Sequence, residues 1–319
     1  RKGGAVAREM LVEAAAEAWQ VPRAECTVAN SIITHLPSGR STSYGRVAAA
    51  ASDLFPPEQV SLKDPADWKL IGKSVKRLDT AGKVNGSQVF GADLQLPGML
   101  NAAIRACPTF GGRVKQFDAR AVEDMPGVRA VVRVGDDAVA VVADSWWQAK
   151  TALDVLPVEW DRGANAGVSN ASIDAMLAEG LDAEDAFVGN GQGDARLALE
   201  GASQVIEATY AYPYQNHATM EPMNATALWR PDRCEVWCPT QNGDAALRAT
   251  AEASGLPIEQ CDVHKIHLGG GFGRRGAFHD FVTQAVLIAR QLPGTPVKLL
   301  WTREEDMQHG HYHPTTRCR

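Results

Sequence analysis

Ten residues, His267-Leu268-Gly269-Gly270-Gly271-Phe272-Gly273-Arg274-Arg275-Gly276, carry the chain's clearest chemical signal. Glycines leave main-chain amides uncovered, and a run of them between a strand and a helix can surround an anion with donors. The flanks supply both elements. Val263, Ile266 and Leu268 form a short β-like stretch, and Phe281, Val282, Ala285, Ile288 and Ala289 recur at helical spacing within 278–292. The hexapeptide Gly271-Phe272-Gly273-Arg274-Arg275-Gly276 also satisfies the dinucleotide fingerprint G-x-G-x-x-G. That fingerprint needs an acidic residue about 20 positions on, at the end of the next strand, to hold a ribose. The place reads Pro296-Val297-Lys298-Leu299-Leu300-Trp301, and Glu304 and Glu305 come later, opening a new helix. A Rossmann site therefore lacks its ribose anchor. A purely structural turn, with glycines that let a helix pack closely on a sheet, stands beside it as an alternative.

Other clusters are weaker. His217 and Glu221 sit four apart after Pro213, but a metal site needs more ligands than two. His309, His311 and His313 alternate along a possible strand face, with a structural role as the competing reading. The six cysteines form no C-x-x-C pair and no cluster able to hold iron and sulfur, so they read as buried free thiols. Cys234 and Cys238, four residues apart in a β-like stretch, lie roughly 13 Å from each other, too far to share a zinc ion.

Composition narrows the partners. A 319-residue chain with 45% hydrophobic residues can bury a sizeable core and divide into two or more domains. A net charge of −6 argues against a nucleic-acid surface, and no apolar run approaches the ~20 residues of a membrane span. A soluble protein is expected. The absence of an initiator methionine leaves cytoplasm and periplasm equally open, since any leader would lie upstream.

The elements that must carry these residues follow from periodicity. Residues 3–19 read as an amphipathic helix, and 27–34 with the Leu36-Pro37-Ser38-Gly39 turn as a hairpin, before an Ala-rich helix that Ser43 can cap. Residues 56–71, with Pro56, Pro57 and Pro65, read as a linker. An α+β module spans 72–161, with β-like pattern at 94–96 and 128–142, helical pattern at 118–125 and at 146–155, and Trp146 and Trp147 expected in its core. Residues 162–201 read as a connector with one helix near 173–177, and 202–319 as alternating strands and helices.

Several separated motifs together resemble the molybdopterin-binding large subunit of the xanthine dehydrogenase and aldehyde oxidase superfamily, nearest its isoquinoline 1-oxidoreductase β-subunit branch. They are Gly82-Lys83-Val84-Asn85-Gly86 with Ala92-Asp93-Leu94-Gln95-Leu96-Pro97-Gly98; Met125-Pro126-Gly127-Val128; Gln215-Asn216-His217 with Met220-Glu221-Pro222; Pro239-Thr240-Gln241; the glycine run; and Trp301-Thr302-Arg303-Glu304-Glu305-Asp306-Met307. The resemblance implies an α+β fold, with a hammerhead domain at 72–161 and the first part of a molybdenum-cofactor-binding α/β domain at 202–319. Residues 1–55 resemble a piece of that cofactor domain in permuted order. It further implies molybdopterin cytosine dinucleotide as cofactor, with the molybdenum held by the pterin dithiolene and by no protein side chain.

By motif position Gly269, Gly270, Gly271, Gly273, Arg274 and Arg275 would approach that cofactor, Phe272 would cover the metal, and Gln215 would donate a hydrogen bond beside it. The Arg pair replaces the family's Gly-Lys, leaving its role open between a phosphate contact and a surface ion pair. The implied activity is hydroxylation of an N-heteroaromatic or aldehyde carbon with water as oxygen source. Electrons would leave through [2Fe-2S] clusters on a small partner subunit, and a cytochrome c could accept them. The family's general-base glutamate follows a glycine, and this sequence has no Gly-Glu dipeptide. The chain is therefore expected to be an internal or incomplete part of the subunit, catalytically silent alone. A cofactor-free scaffold that binds another subunit is the alternative, ahead of a Rossmann dehydrogenase.

Overall fold

Alanine-rich helical spacing at the start of the chain gives helix α1 (Lys2–Trp19), which buries Val12, Ala14, Ala15 and Ala16 and stops where Gln20 turns left-handed ahead of Pro22. In this computed structural model, which describes all 319 residues, the chain divides into two units, Arg1–Leu78 and Asp79–Arg319.

In the first unit, strands β1 (Cys26–Ala29), β2 (Ile32–His35) and β3 (Ser41–Ser43) form an antiparallel sheet in that order, followed by helix α2 (Tyr44–Ser52). Two turns are present where one was expected. Asn30 and Ser31 both take positive φ and close the β1–β2 hairpin in two residues, as tight hairpins favour. The Leu36-Pro37-Ser38-Gly39 turn then serves β2 and β3. Val12, Ala15, Ile33, Val47 and Ala51 form the core of this unit. Ser43 does precede α2, but its hydroxyl makes no capping bond. The expected linker 56–71 contains only a 3₁₀ turn at Pro65–Asp67 and belongs to this first unit.

The second unit begins with α3 (Thr80–Asn85) and continues through β4 (Leu100–Ala106), β5 (Arg113–Phe117), β6 (Val128–Val134), β7 (Ala138–Ala143), α4 (Trp146–Val155) and β8 (Val158–Asp161). Helices α5 (Asn170–Gly180) and α6 (Ala195–Glu200) precede β9 (Tyr210–Tyr212), β10 (Asn224–Arg230), β11 (Arg233–Pro239), α7 (Gly243–Ser254) and β12 (Cys261–Ile266). Helix α8 (Asp280–Ala289), β13 (Val297–Leu300), α9 (Arg303–Gln308) and β14 (Thr316–Cys318) complete it.

Seven of these strands make one mixed sheet, ordered β12-β11-β10-β13-β4-β7-β6. The expected modules 72–161 and 202–319 therefore share this sheet, while the two-stranded sheets β5-β8 and β9-β14 each stay within one of them. Strand β13 pairs in parallel with β4, Val297 opposite Leu100, so the first module satisfies main-chain groups that the second would otherwise leave at an open edge. β7 is buried at every position. Its Ala138, Ala140 and Val142 face a core with Phe281, Ala285 and Ile288 of α8, while Val139, Val141 and Ala143 face one with Ala149 and Leu153 of α4. Strands covered on both faces read as continuous apolar runs, as this one does.

Three expectations fail locally. The helical pattern at 118–125 yields only a 3₁₀ turn, Ala119–Ala121, because the stretch before Pro126-Gly127 is too short to offset nucleation. Residues 94–96 form no strand; Lys298 Nζ donates to the Ala92 and Leu94 carbonyls, 2.7 and 3.1 Å away, and fixes them as a turn. Trp146 is partly buried and donates from Nε1 to the Leu300 carbonyl at 2.8 Å, but Trp147, one position round the helix, is 69% exposed.

Strands β4, β11, β12 and β13 run in one direction, since β13 is parallel to β4, β12 is parallel to β11, and β10 is antiparallel to both β11 and β13. Their carboxyl ends open onto one margin of the sheet. Open α/β sheets place ligands at such a margin.

Candidate functional site

The Gly-rich turn leaves β12 at that margin and enters α8. Its geometry starts with Glu221, on the segment that leads into β10. The Glu221 carboxylate accepts hydrogen bonds from the Gly269 amide (2.8 Å), the Ala92 amide (2.9 Å) and the Arg275 guanidinium (2.5 Å). The Glu221 amide donates back to the Gly269 carbonyl at 3.2 Å. A methyl group on Gly269 would lie 2.5 Å from Glu221 Cβ, so the close approach requires glycine there.

Arg274 and Arg275 turn inward. Arg275 is fully buried and also donates to the Glu221 and Pro222 carbonyls at 2.7 and 3.1 Å. Burial lowers its pKa, and the Glu221 charge opposes that shift. Arg274 grips both oxygens of Asp280 at 2.7 and 2.8 Å, joining the turn to the first residue of α8. Arg275 finds a buried carboxylate in Glu221, whereas Asp280, the partner of the buried Arg274, is 37% exposed at the start of α8. Both side chains brace the turn from behind.

The outer side differs. The amides of Gly270, Gly271, Phe272 and Gly273 donate no hydrogen bond within the chain. Phe272 holds a positive φ of 50° and is 72% exposed, a strained conformation for an aromatic residue and a poor use of apolar surface unless something covers it. Gly273 has φ 90° and faces open space, with no atom within 4 Å of where a Cβ would stand. Gly270, at φ 108°, lies 3.3 Å by the same measure from Thr219, and Gly271 lies 3.1 Å from the Gln241 amide. Four free amides beside an exposed ring and an open glycine fit a ligand that presents acceptors and a flat face.

Gln215 is exposed, and its side-chain amide has no partner in the chain. Its main chain pairs in both directions with His313, at 3.2 and 3.0 Å. No hydrogen bond links Gln215 to the turn; the connection runs along its own segment, through Thr219 to Glu221. His217 and Glu221 form no metal pair, since His217 Nε2 lies 2.8 Å from Asp306 Oδ1 in a fully buried contact while Glu221 serves the turn. His311 stacks on Phe278 with ring centroids 3.6 Å apart. No group of three or more His, Cys, Asp or Glu side chains is placed to hold a metal ion. Cys107, Cys234, Cys238 and Cys261 are buried thiols, and burial pushes Cys234 and Cys238 up to about 12.

The sequence did not single out Glu221, Asp306 and Arg303 as organising residues. Their signal was present only as membership in the Met220-Glu221-Pro222 and Trp301–Met307 motifs. Nor is the turn a Rossmann unit. The strand after α8 is β13, which lies beyond β11 and β10 from β12, whereas a dinucleotide fold continues to a neighbouring parallel strand.

Glu305, on α9, gives a measurable consequence. Its buried carboxyl accepts from the Ala106 amide at 2.8 Å, and burial pushes its pKa up to about 7. Burial lowers the pKa of His309, whose Nε2 is 3.8 Å away, so the imidazole offers the ionising carboxyl little compensating charge. Because the folded-state pKa is raised, Glu305 leaves stability intact below its unfolded pKa of ~4.5 and costs progressively more as pH rises to about 7, in total up to about 3 kcal/mol. Glu305→Gln is expected to remove that loss. Urea unfolding from pH 5 to pH 8 should show the variant gaining on the parent as pH rises; a constant difference would mean that Glu305 titrates normally.

Comparison with known proteins agrees with this geometry. Residues 182–318 match the family described as the molybdopterin cofactor-binding domain. The chain is 31% identical over 323 residues to the membrane-bound aldehyde dehydrogenase [pyrroloquinoline-quinone] of Gluconacetobacter polyoxogenes, covering 97% of this chain and 41% of that protein. It is 29% identical over 372 residues to isoquinoline 1-oxidoreductase subunit beta of Brevundimonas diminuta, covering 100% of this chain and 46% of the relative. Among solved structures, quinoline 2-oxidoreductase from Pseudomonas putida 86 superposes with a TM-score of 0.61 at 20% identity, over 78% of this chain and 37% of that one. Aldehyde oxidoreductase from Desulfovibrio gigas gives 0.60 at 20% identity, over 86% and 34%.

These matches support a partial molybdopterin-binding subunit, similar to those of the xanthine dehydrogenase and aldehyde oxidase superfamily. The chain spans less than half the length of these curated relatives. No helix is long and apolar enough to cross a membrane.

Proposed function

We propose that this chain forms part of the catalytic subunit of a molybdenum hydroxylase, acting on an N-heteroaromatic or aldehyde substrate and passing electrons to a small [2Fe-2S] subunit. The observation that carries this reading is the row of four unpartnered amides, Gly270 to Gly273, on a turn clamped from behind by Glu221 and Arg275. When bound, molybdopterin cytosine dinucleotide supplies the two-electron chemistry and an activated oxygen derived from water.

The chain's own residues bind and orient. The free amides of the turn meet the pterin, and Gly273, open on its outer side, lets it approach. Phe272 shields the reacting face from water, which strengthens every polar contact beneath it. Gln215 offers an unengaged amide as a donor toward the bound group. Arg274 and Arg275 act on the cofactor indirectly, by fixing the amides that touch it. The general base lies outside these residues, and a cytochrome c is a fitting final electron acceptor. The name of one relative carries pyrroloquinoline quinone, an organic cofactor without metal, so elemental analysis separates the two readings.

The test is molybdenum and pterin analysis of the protein made with an iron–sulfur partner in a host that synthesises the cofactor. Near-stoichiometric molybdenum with cytidine nucleotide released on denaturation is expected. Phe272→Ala and Gln215→Ala should keep unfolding free energies within about 0.5 kcal/mol of the parent, because both side chains are exposed, while weakening cofactor retention. Metal-free and pterin-free parent protein from such a host would favour the scaffold instead.

A further inference from the structure

The buried polar group that the turn and the free amides leave unexplained is His217 with Asp306. His217 Nε2 and Asp306 Oδ1 are 2.8 Å apart, and their side chains are 2% and 0% exposed. His217 Nδ1 is buried without a partner, so the ring's one polar contact is through Nε2, which donates to the carboxylate. Burying an ionised carboxylate is costly unless it organises its surroundings. Asp306 does organise them. Its second oxygen lies 3.4 Å from Arg303 Nη1, and Arg303 Nη2 donates to the main-chain carbonyls of Thr219 and Met220. One turn of α9 therefore holds the segment after Gln215 at two points, while Asn216 Nδ2 donates to the Met307 carbonyl at 2.7 Å, at the end of the same helix.

The far side of Gln215 is held by the segment that follows α9, ahead of β14. His313 makes both main-chain bonds to Gln215, and Tyr312 donates its hydroxyl to the Met307 carbonyl at 2.7 Å. Gly310 passes so close that a methyl group there would lie 3.0 Å from Asn216 Nδ2 and 3.3 Å from His217 Cε1. Gln215 itself has no side-chain anchor. Its position is set entirely by main-chain bonds whose geometry depends on α9.

We infer that Asp306, acting through His217 and with Arg303, is the positioning residue for Gln215, so that α9 presents the Gln215 amide at the margin where the glycine turn opens. The role rests on the cofactor reading proposed above, but the coupling from Asp306 to Gln215 belongs to the chain alone.

Asp306→Asn tests it, since the amide retains size but removes the charge that holds Arg303 and the strongest acceptor for His217. Hydrogen exchange in the cofactor-free chain should show the Gln215 and His313 amides exchanging about tenfold faster or more, with the Gly269 amide, held by Glu221, unchanged. In molybdenum-loaded protein at equal metal content, the paramagnetic resonance signal of Asp306→Asn should shift in the same sense as that of Gln215→Ala. A change in stability alone would not produce that shift. Parental exchange at Gln215 and His313, or a loaded spectrum identical to the parent, overturns the inference.

If Asp306→Asn loosens the whole chain, Tyr312→Phe decides, because it deletes one hydrogen bond from a half-buried ring without touching the core. Local acceleration at His313 and Gln215 then supports the coupling, and unchanged exchange refutes it. Local acceleration in a parent that binds no molybdenum would leave the positioning intact and sink the cofactor reading.

Discussion

Glu221→Ala is expected to cost about 3–5 kcal/mol, because it strands the Arg275 guanidinium in the interior without its counter-charge. Domains of this kind have only about 5–15 kcal/mol in total, so the variant should unfold at a much lower urea concentration or fail to accumulate folded. Three donors lose their acceptor together: the Gly269 amide, the Ala92 amide and Arg275. The first belongs to the turn and the second to the segment that Lys298 holds, so the damage reaches both flanks of the margin. Glu221→Gln should be milder, since it keeps an oxygen for one of the amides and loses the charge. Adding Arg275→Met to Glu221→Ala should recover part of the loss by removing the uncompensated cation. Equal stability of the single and double variants would show that the buried charge is not what makes Glu221 necessary.

That pair also marks where the sequence stopped being informative. The strand–turn–helix at the glycine run was legible because apolar spacing changes from period two to period 3.6 across it. Helix α1 was legible for the same reason. Arg274 and Arg275 looked like groups for a phosphate or for solvent, because nothing local shows that an arginine has a carboxylate waiting 54 residues upstream. His217 and Asp306 are 89 residues apart, and His217 was weighed as a metal ligand beside Glu221 because those two are neighbours in sequence. In the structure they serve different partners. The shared sheet escaped notice for a similar reason: β13 pairs with β4 almost two hundred residues earlier, and neither strand's pattern records its neighbour. Local signals placed the elements, and long-range pairing decided what Arg275, Glu221 and His217 do, while Arg274 found Asp280 only six residues on.

Gly273→Ala is expected to separate binding from folding. The residue sits at φ 90°, so any side chain there strains the backbone, at a cost of about 1–3 kcal/mol. Yet a methyl group would meet no atom of the protein within 4 Å. The new volume falls on the open side of the exposed Phe272-Gly273 pair, where the proposed cofactor would approach the unpartnered amides. Molybdenum content should therefore fall at least tenfold, more than the strain alone would produce in a protein that still folds. Gly269→Ala supplies the contrast, since its methyl group would press on Glu221 Cβ from 2.5 Å and act on the interior. Metal content and urea unfolding of both variants, measured side by side, should then diverge: Gly273→Ala folded and poor in metal, Gly269→Ala depleted only in proportion to its lost stability. Full molybdenum occupancy in Gly273→Ala would move the cofactor off this turn and leave its glycines to packing.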